Sequence, residues 1–142
     1  MRIGVGLPNT IPGTPGPRLV EWAREAEGMG FSTLATIGRL VFPTYDEFQA
    51  LSAAAAVTED IDLFTNVTIG PVYDKALLAK LAAGVDQLSE GRFVLGMATG
   101  WRDEDTSSRA RSMRVAGHAS TPRSSICSAP GVANSWKVRP RS

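Results

Sequence analysis

The chain has 142 residues, with 15 Lys and Arg, 14 Asp and Glu, and a formal net charge of +1. This length is typical of one domain with a hydrophobic core, and the near-neutral charge does not indicate nucleic-acid or membrane binding. The hydrophobic content of 43% is that of an ordinary globular protein. A single cysteine, Cys127, excludes an internal disulfide, and no signal segment is recognisable at the N-terminus. We therefore expect a cytoplasmic protein.

Charge is distributed unevenly along the chain. Residues 1–105 contain all 14 acidic residues and eight basic ones, whereas residues 106–142 contain seven basic residues and no acidic one. The second region is rich in Ser, Arg, Pro and Ala, and no helical or strand period persists in it. We predict one ordered domain over residues 1–105 and an irregular basic tail over residues 106–142.

Strand-like apolar runs recur evenly in the first region. They begin at Arg2, Phe31, Ile61 and Arg92, so the steps between them are 29, 30 and 31 residues. A repeat of about 30 residues is typical of βαβ units, which form parallel sheets. The fourth run, residues 93–98, is almost continuously apolar, which predicts a strand covered on both faces.

Three helical patterns separate these runs. The first spans residues 18–29 and has one apolar stripe. The second begins with a capping box formed by Thr44 and Glu47 and continues to about residue 58. The third spans about residues 74–90. Its predicted buried stripe consists of Leu77, Leu78, Leu81, Val85 and Leu88.

Two architectures use this alternation, an open doubly wound sheet and a closed (β/α)8 barrel. Both place ligands at the carboxyl ends of the strands. The dinucleotide fingerprint of an open nucleotide-binding sheet is missing, because Pro8 and Asn9 stand where a helix N-terminus would receive the pyrophosphate. The barrel is therefore favoured. Its candidate ligand loops are Pro8-Asn9-Thr10, Gly38-Arg39, Gly70-Pro71 and Gly100-Trp101-Arg102.

Four segments within residues 2–105 carry a family resemblance: "RIGVGLPN", "AREAEGMGFSTL", "AAAAVTEDIDLFTNVTIGP" and "ALLAKLAAGVDQLSEGRFVLGMATGWRDED". In this order they resemble the luciferase-like monooxygenase family of flavin- and deazaflavin-dependent (β/α)8 barrels. The resemblance implies an α/β fold, namely a partial TIM barrel of about four strands and three helices with an irregular C-terminal tail. It also implies an oxidoreductase that performs hydride transfer or oxygen insertion on a small organic substrate.

The cofactor implied by the resemblance is a flavin-type ring, with F420 (deazaflavin) favoured over FMN. In this family the ring lies over the carboxyl ends of the strands, in front of a bulge in the third strand that often contains a non-prolyl cis peptide. Asn66–Val67 match that position, and the glycines of "GMATG" would permit close backbone approach to the ring edge. The candidate cofactor-binding residues are Asn9, Gly38, Arg39, Asn66, Val67, Thr68, Gly96, Thr99, Gly100 and Trp101.

No catalytic residue is assigned from the sequence. Many deazaflavin-dependent members carry an acid–base pair such as Asp-His at the end of the second strand, whereas this chain has Gly38 and Arg39 there. Arg39 is either an electrostatic contact to an anionic ring or substrate, or a solvated loop residue. Trp101 either borders a planar ring or packs within its own loop. No metal site is predicted, since His118 and Cys127 have no ligand partners at a recognisable spacing.

The chain is shorter than a whole barrel, which typically needs about 250 residues. Four strands predict the N-terminal half of a barrel without turnover, and the tail composition is that of a shifted reading frame. Nucleic-acid binding by the tail is an alternative, but only Trp136 accompanies its charges, so no nucleic-acid partner is predicted. A further alternative is a half-barrel that self-associates as a homodimer through its open sheet edges, or binds flavin without turnover.

Overall fold

The computed structural model describes residues 1–40 and 43–100, so Trp101 and the predicted tail lie outside the described residues. The strands are β1 (Gly4–Gly6), β2 (Thr33–Thr36), β3 (Asp62–Thr65), β4 (Thr68–Ile69), β5 (Phe93–Val94) and β6 (Met97–Ala98). The helices are α1 (Gly16–Gly28), α2 (Glu47–Ala55) and α3 (Lys75–Leu88), and a 3-10 turn at Gly70–Val72 precedes α3. Within these residues no helix has the length and hydrophobicity needed to cross a bilayer.

Four strands, β1, β2, β3 and β5, form one parallel sheet in that order. Strand order therefore follows chain order, as in a barrel, whereas a doubly wound sheet reverses at a switch point. The predicted α/β fold with four main parallel strands and three helices is confirmed in the described residues. β4 and β6 continue the third and fourth strands beyond a bulge, and they pair in parallel with Thr68 opposite Met97.

The hydrophobic core lies between one face of the sheet and the helices. Val5, Leu34, Leu63 and Phe93 form a row across the four strands in register, and the two leucines are fully buried. α2 packs against β3 and adds the buried ring of Phe48. Burying a side chain of this size stabilises the folded state by about 1.5–3 kcal/mol, so this row holds the strands in their register.

β5 and β6 carry exposed apolar side chains in the described residues. The side chains of Val94 and Met97 are 51% and 44% exposed. The prediction that both faces of this strand are covered is therefore wrong for this part of the chain. Phe93 packs against the core, whereas Val94, the next residue on the strand, points to the opposite face.

The helix boundaries differ from the predicted ones at α2. Asp46, and not Thr44, is the N-cap, because its Oδ1 accepts hydrogen bonds from the backbone N–H groups of Phe48 (2.9 Å) and Gln49 (3.2 Å). The predicted capping box is therefore wrong, and Glu47 lies inside the protein with 3% exposure. α2 ends at Ala55, before the predicted end near residue 58.

The buried stripe of α3 is narrower than predicted. Leu78 and Val85 are buried, whereas Leu77 and Leu88 are 51% and 56% exposed. α3 packs mainly on α2 and β5. The two exposed leucines lie at the margins of the apolar stripe, beyond the reach of those two elements.

Two polar side chains close the end of the sheet opposite the strand C-termini. Glu27 Oε1 accepts hydrogen bonds from the backbone N–H groups of residues 59–61, at 2.7–3.0 Å. Arg92, 7% exposed, donates to the carbonyl oxygens of Ala55, Thr58, Ile61 and Ser89 and to the Thr58 hydroxyl. Together they fix the connection between α2 and β3, which sets the position of β3 and its bulge.

Candidate functional site

The loops that follow the parallel strands lie together at one edge of the sheet, which we call the rim. Hydrogen bonds connect them in order around this edge. The Asn9 amide donates to the Ile37 carbonyl at 2.9 Å, and Gly38 N–H donates to the Val67 carbonyl at 3.2 Å. Thr68 N–H then donates to the Gly96 carbonyl at 2.8 Å. Five of the ten predicted cofactor-binding residues take part in these hydrogen bonds, namely Asn9, Gly38, Val67, Thr68 and Gly96, and Trp101 lies outside the described residues.

Asn9 is 1% exposed, and its side chain binds the protein itself. Its Oδ1 accepts from Ile37 N–H at 3.2 Å, and its amide nitrogen donates to the carbonyls of Ile37 and Tyr45, the latter at 3.4 Å. Asn9 therefore joins the loop after β1 to the segments on either side of the loop after β2. Direct contact between Asn9 and a cofactor stays a prediction.

The bulge between β3 and β4 has the geometry that the family resemblance implies. The Asn66–Val67 peptide bond is cis. Asn66 is exposed at the rim, and its N–H donates to the Thr36 carbonyl. Thr68 is fully buried, so the bulge presents Asn66 outward while Thr68 points into the protein.

Gly96 is held against the bulge. Thr65 Oγ1 donates to the Gly96 carbonyl and accepts from Gly96 N–H, both at 2.9 Å. A Cβ atom on Gly96 would collide with the Thr65 carbonyl and the Phe64 ring. Packing between strands therefore requires this glycine, a reason different from the predicted approach to a ring.

The end of β6 supplies the remaining described rim residues. Thr99 is exposed, and Gly100 adopts a positive φ of 74°. A Cβ on Gly100 would also lie 2.8 Å from the Ile69 Cγ2 atom. Glycine is therefore required at this position both for its backbone conformation and for the close contact with β4.

A cavity of about 120 Å³, called here the rim cavity, lies between the loops after β2 and β4. Its lining residues are Gly38, Arg39, Leu40, Thr44, Asp46, Glu47, Ile69, Val72 and Tyr73. Gly38 and Arg39 were predicted from the sequence as site residues. Asp46, Glu47 and Tyr73 were not.

Asp46 and Tyr73 form a polar pair on one wall of the rim cavity. The Tyr73 hydroxyl donates to Asp46 Oδ2 at 2.7 Å, while Oδ1 of the same carboxylate caps α2. The Tyr73 ring meets the Phe48 ring edge-on, with centroids 5.6 Å apart. Burial, and then the hydrogen bond to Asp46, raise the pKa of the Tyr73 phenol far above its ordinary value. The phenol therefore stays protonated as a donor.

Glu47 lies behind this pair, against the backbone of Gly38. A Cβ atom on Gly38 would be 2.6 Å from Glu47 Oε1 and 3.0 Å from the Val67 carbonyl. Among the described residues, Oε1 has no hydrogen-bond partner. Burial is the main cause that raises the pKa of Glu47, and the neighbouring Asp46 raises it further.

The sequence analysis did not identify Glu47 as a site residue, because it assigned the side chain to a capping box at the start of α2. The signal that was present is a carboxyl next to an almost wholly apolar helix, "EFQALSAAAA". Charged side chains are rarely fully buried unless they are paired, and this one is buried by residues distant in sequence. The rim thus contains a buried carboxyl group whose pKa is raised by its burial.

Comparison with known proteins places this geometry in a family. A sequence profile of the luciferase-like monooxygenases matches residues 1–117. The pyrimidine monooxygenase RutA of Pseudomonas syringae pv. syringae is 33% identical over 91 residues, which cover 56% of this chain and 24% of RutA. The chain spans about a quarter or less of the length of the curated relatives it matches.

Two solved structures share the fold at 22% identity. The oxygenating constituent of 3,6-diketocamphane monooxygenase from Pseudomonas putida, in complex with FMN, has a TM-score of 0.66 over 76% of this chain and 32% of its own. The coenzyme F420 dependent tetrahydromethanopterin reductase from Methanopyrus kandleri has a TM-score of 0.65 over 77% and 30%. With its parallel strands, its bulge and a profile match over most of its length, the chain belongs to the luciferase-like monooxygenase family.

Proposed function

We propose that residues 1–105 form the cofactor-facing N-terminal part of a flavin- or deazaflavin-dependent oxidoreductase. The reaction of the parent enzyme is hydride transfer or oxygen insertion on a small organic substrate. The observation that supports this most is the Asn66–Val67 bulge, which lies at the carboxyl ends of ordered parallel strands in a chain of this family. Ligands of (β/α)8 barrels bind at that end.

The residues at the rim are compatible with a planar ring. The exposed Asn66 and Thr99 offer polar contacts, and the exposed Val94 and Met97 offer apolar surface on β5 and β6. A flavin-type ring, when bound, would supply the redox chemistry. The protein would contribute the surface of the bulge, hydrogen bonds from Asn66, and the positive charge of Arg39 beside the rim cavity.

The choice between the two cofactors rests on the sequence alone. One solved relative is described with FMN and another as dependent on F420, so these two favour neither. Our prediction remains F420, from the resemblance of the residues to that branch. Both cofactors carry the same kind of planar ring, and the rim residues named above do not discriminate between them.

We further propose that the residues described here form only part of the catalytic site. The solved relatives are about three times longer than the part that this chain matches, since it covers 32% and 30% of them. In a (β/α)8 barrel, catalytic residues come from the ends of several strands, and the phosphate site is frequently formed after strands 7 and 8. The four main strands described here would supply only part of such a site.

The proposal is tested by titrating the full chain with F420 and, separately, with FMN while following fluorescence. We expect saturable binding with a Kd in the micromolar range, about −8 kcal/mol. Asn66→Ala should weaken binding about fivefold to tenfold through loss of a rim hydrogen bond. Gln87→Ala removes an exposed amide from α3 and serves as the matched control. Absence of saturable binding for both cofactors would overturn the proposal.

A second candidate function is self-association through the open sheet. In the described residues β1 and β5 are the outer strands of the sheet, and Ile3, Val94 and Met97 are between 44% and 51% exposed. Unpaired strand edges beside exposed apolar side chains favour pairing between chains. Sedimentation velocity distinguishes the cases: a defined dimer supports this function, and a monomer at all concentrations contradicts it.

A further inference from the structure

We propose that the rim cavity binds a small uncharged lactam or imide, and that Glu47 Oε1 makes the hydrogen bond that holds the amide edge of this ligand. The rim cavity shares Gly38 and Arg39 with the predicted cofactor-binding residues, but binding of this ligand requires no redox ring. The proposal rests on the position of one side chain, on the groups that face it, and on the size of the cavity.

The position of Glu47 supplies the first step. The residue lines the rim cavity, yet it is 97% buried. Its Oε1 faces Gly38, another lining residue, and has no hydrogen-bond partner among the described residues. A buried polar atom without a partner is unfavourable. A ligand that supplies the missing hydrogen bond therefore gains affinity in this cavity.

The groups that face Glu47 determine its charge. Asp46 precedes it on the chain, Arg39 lies across the cavity, Tyr73 comes from the turn before α3 and Thr68 from β4. Burial raises the pKa of Glu47, its own backbone N–H opposes this, and Asp46 raises the pKa again. The hydroxyls of Tyr73 and Thr68 lower it slightly, although neither is hydrogen-bonded to Oε1. The carboxyl group is thereby favoured in its neutral form.

In its neutral form, which burial favours, the carboxyl group determines which ligand it can bind. Such a group presents a hydroxyl donor on one oxygen and a carbonyl acceptor on the other. A cis-amide edge presents N–H and C=O side by side. Its C=O can accept a hydrogen bond if Oε1 is the hydroxyl oxygen, and its N–H can donate one if Oε1 is the carbonyl oxygen. An anionic ligand would meet the carboxylate of Asp46, which already accepts three hydrogen bonds, and among the described lining residues Arg39 is the one cationic side chain that could offset this repulsion. An uncharged amide avoids that repulsion, and it also avoids the large desolvation cost of burying an ion.

The size of the cavity limits the ligand further. A closed apolar cavity of about 150 Å³ accommodates benzene, and the rim cavity measures about 120 Å³. A five- or six-membered ring therefore fills it. The side chains of Ile69 and Val72 line it together with the polar groups, so they provide the apolar contact for such a ring.

The test uses the full chain without cofactor and three small probes: 2-pyrrolidinone, which has an amide edge, cyclopentanone, which has only a carbonyl, and acetate, an anion. Binding is followed by backbone amide NMR shifts. We expect saturable shifts at Gly38 and Tyr73 with 2-pyrrolidinone and no saturable shifts with acetate. Absence of saturation with 2-pyrrolidinone, or equal binding of acetate, would overturn the proposal.

Variants at residue 47 test the role of Oε1. Glu47→Gln keeps a donor and an acceptor, so 2-pyrrolidinone should bind within about threefold of wild type. Glu47→Leu removes both and should weaken binding about tenfold, the effect of one lost hydrogen bond. Glu59→Gln changes an exposed carboxyl group and is the matched control. Wild-type affinity in Glu47→Leu would contradict the assignment.

A pH series provides an independent readout if Glu47→Leu fails to fold. Cyclopentanone can only accept a hydrogen bond, so it requires the protonated carboxyl group. Wild type should bind it at low pH and release it as pH rises through the pKa of Glu47, whereas Glu47→Gln should bind it equally throughout. If the affinity of wild type for cyclopentanone did not change with pH, the proposal would be contradicted. The cofactor titration is separate, so failure of one proposal leaves the other standing.

Discussion

Gly38 and Glu47 contact each other so closely that no other side chain fits at residue 38 without displacing the carboxyl group. An added Cβ would lie 2.6 Å from Oε1, and on its other side 3.0 Å from the backbone carbonyl of Val67. The loop after β2 is therefore packed between the N-terminus of α2 and the bulge. This contact relates the buried acid to the part of the rim that we assign to the cofactor.

Gly38→Ala should destabilise the protein by about 1–3 kcal/mol, because the carboxyl group or the bulge has to move. The double variant with Glu47→Ala should recover part of this loss, since the two residues share one contact. Gly84→Ala is the matched control. It lies on the exposed side of α3 with no atom within 4 Å of the added Cβ, and should stabilise by about 0.5–1 kcal/mol. Urea denaturation measures all three changes, and equal effects of the two alanine variants would contradict the packing.

Glu47 should make the protein less stable as pH rises. Its pKa is raised in the folded state, so the neutral form is favoured there and stability is greatest below the ordinary Glu value near 4.5. Stability is lost as pH increases through the raised folded pKa. Glu47→Gln lacks this dependence and should have a higher Tm than wild type at neutral pH. Thermal unfolding between about pH 4 and pH 8 measures the difference, and parallel profiles would be evidence against it.

Glu27 should show the opposite dependence. Burial alone would raise its pKa, but the three backbone hydrogen bonds from residues 59–61, with the charge of Arg92, lower it overall. Its contribution is therefore present above the ordinary Glu pKa and is lost as pH falls through the lower folded pKa. Glu27→Gln should destabilise by about 1–3 kcal/mol at neutral pH and lose part of the acid sensitivity. Calorimetry across the acid range checks both effects, and a variant as stable as wild type at neutral pH would refute them.

Arg92→Met should destabilise more than any other substitution considered. The methionine removes the buried side-chain donor of the Ala55, Thr58 and Ile61 carbonyls, whereas the Ser89 carbonyl keeps the backbone N–H of residue 92. We expect a loss of about 3 kcal/mol or more. Arg24→Met, at an exposed position on α1, should remain within about 0.5 kcal/mol of wild type. The comparison is made by guanidinium denaturation, and a similarly small loss in both variants would exclude an anchoring role for Arg92.

Much of the architecture is predictable from the spacing of the apolar runs. Strands recurring about every 30 residues indicate a parallel sheet because each crossover needs a helix. The cis peptide at Asn66–Val67 is a feature that the family resemblance implied and that local periodicity alone would not indicate. The exposure of Val94 and Met97 was missed, because an apolar run does not reveal how many faces are covered.

The candidate site was harder to predict than the fold. Thr44 and Asp46 are both good N-cap residues, and the direction in which the chain leaves β2 decides between them. Glu47 is buried by Gly38 and Thr68, which lie 9 and 21 residues away in the sequence. Asn9 was predicted at the rim, but its hydrogen bonds to Ile37 and Tyr45 depend on the folded loops.

The linkage from Asn9 through Gly38 and Thr68 to Gly96 consists of main-chain atoms at every step except the first. Substitution of most side chains that face outward from this edge therefore leaves the main-chain hydrogen bonds between the loops in place. Relatives are free to alter what they recognise while keeping the loops in the same positions. Substitutions at the rim should accordingly change which ligand is bound before they change the positions of the loops.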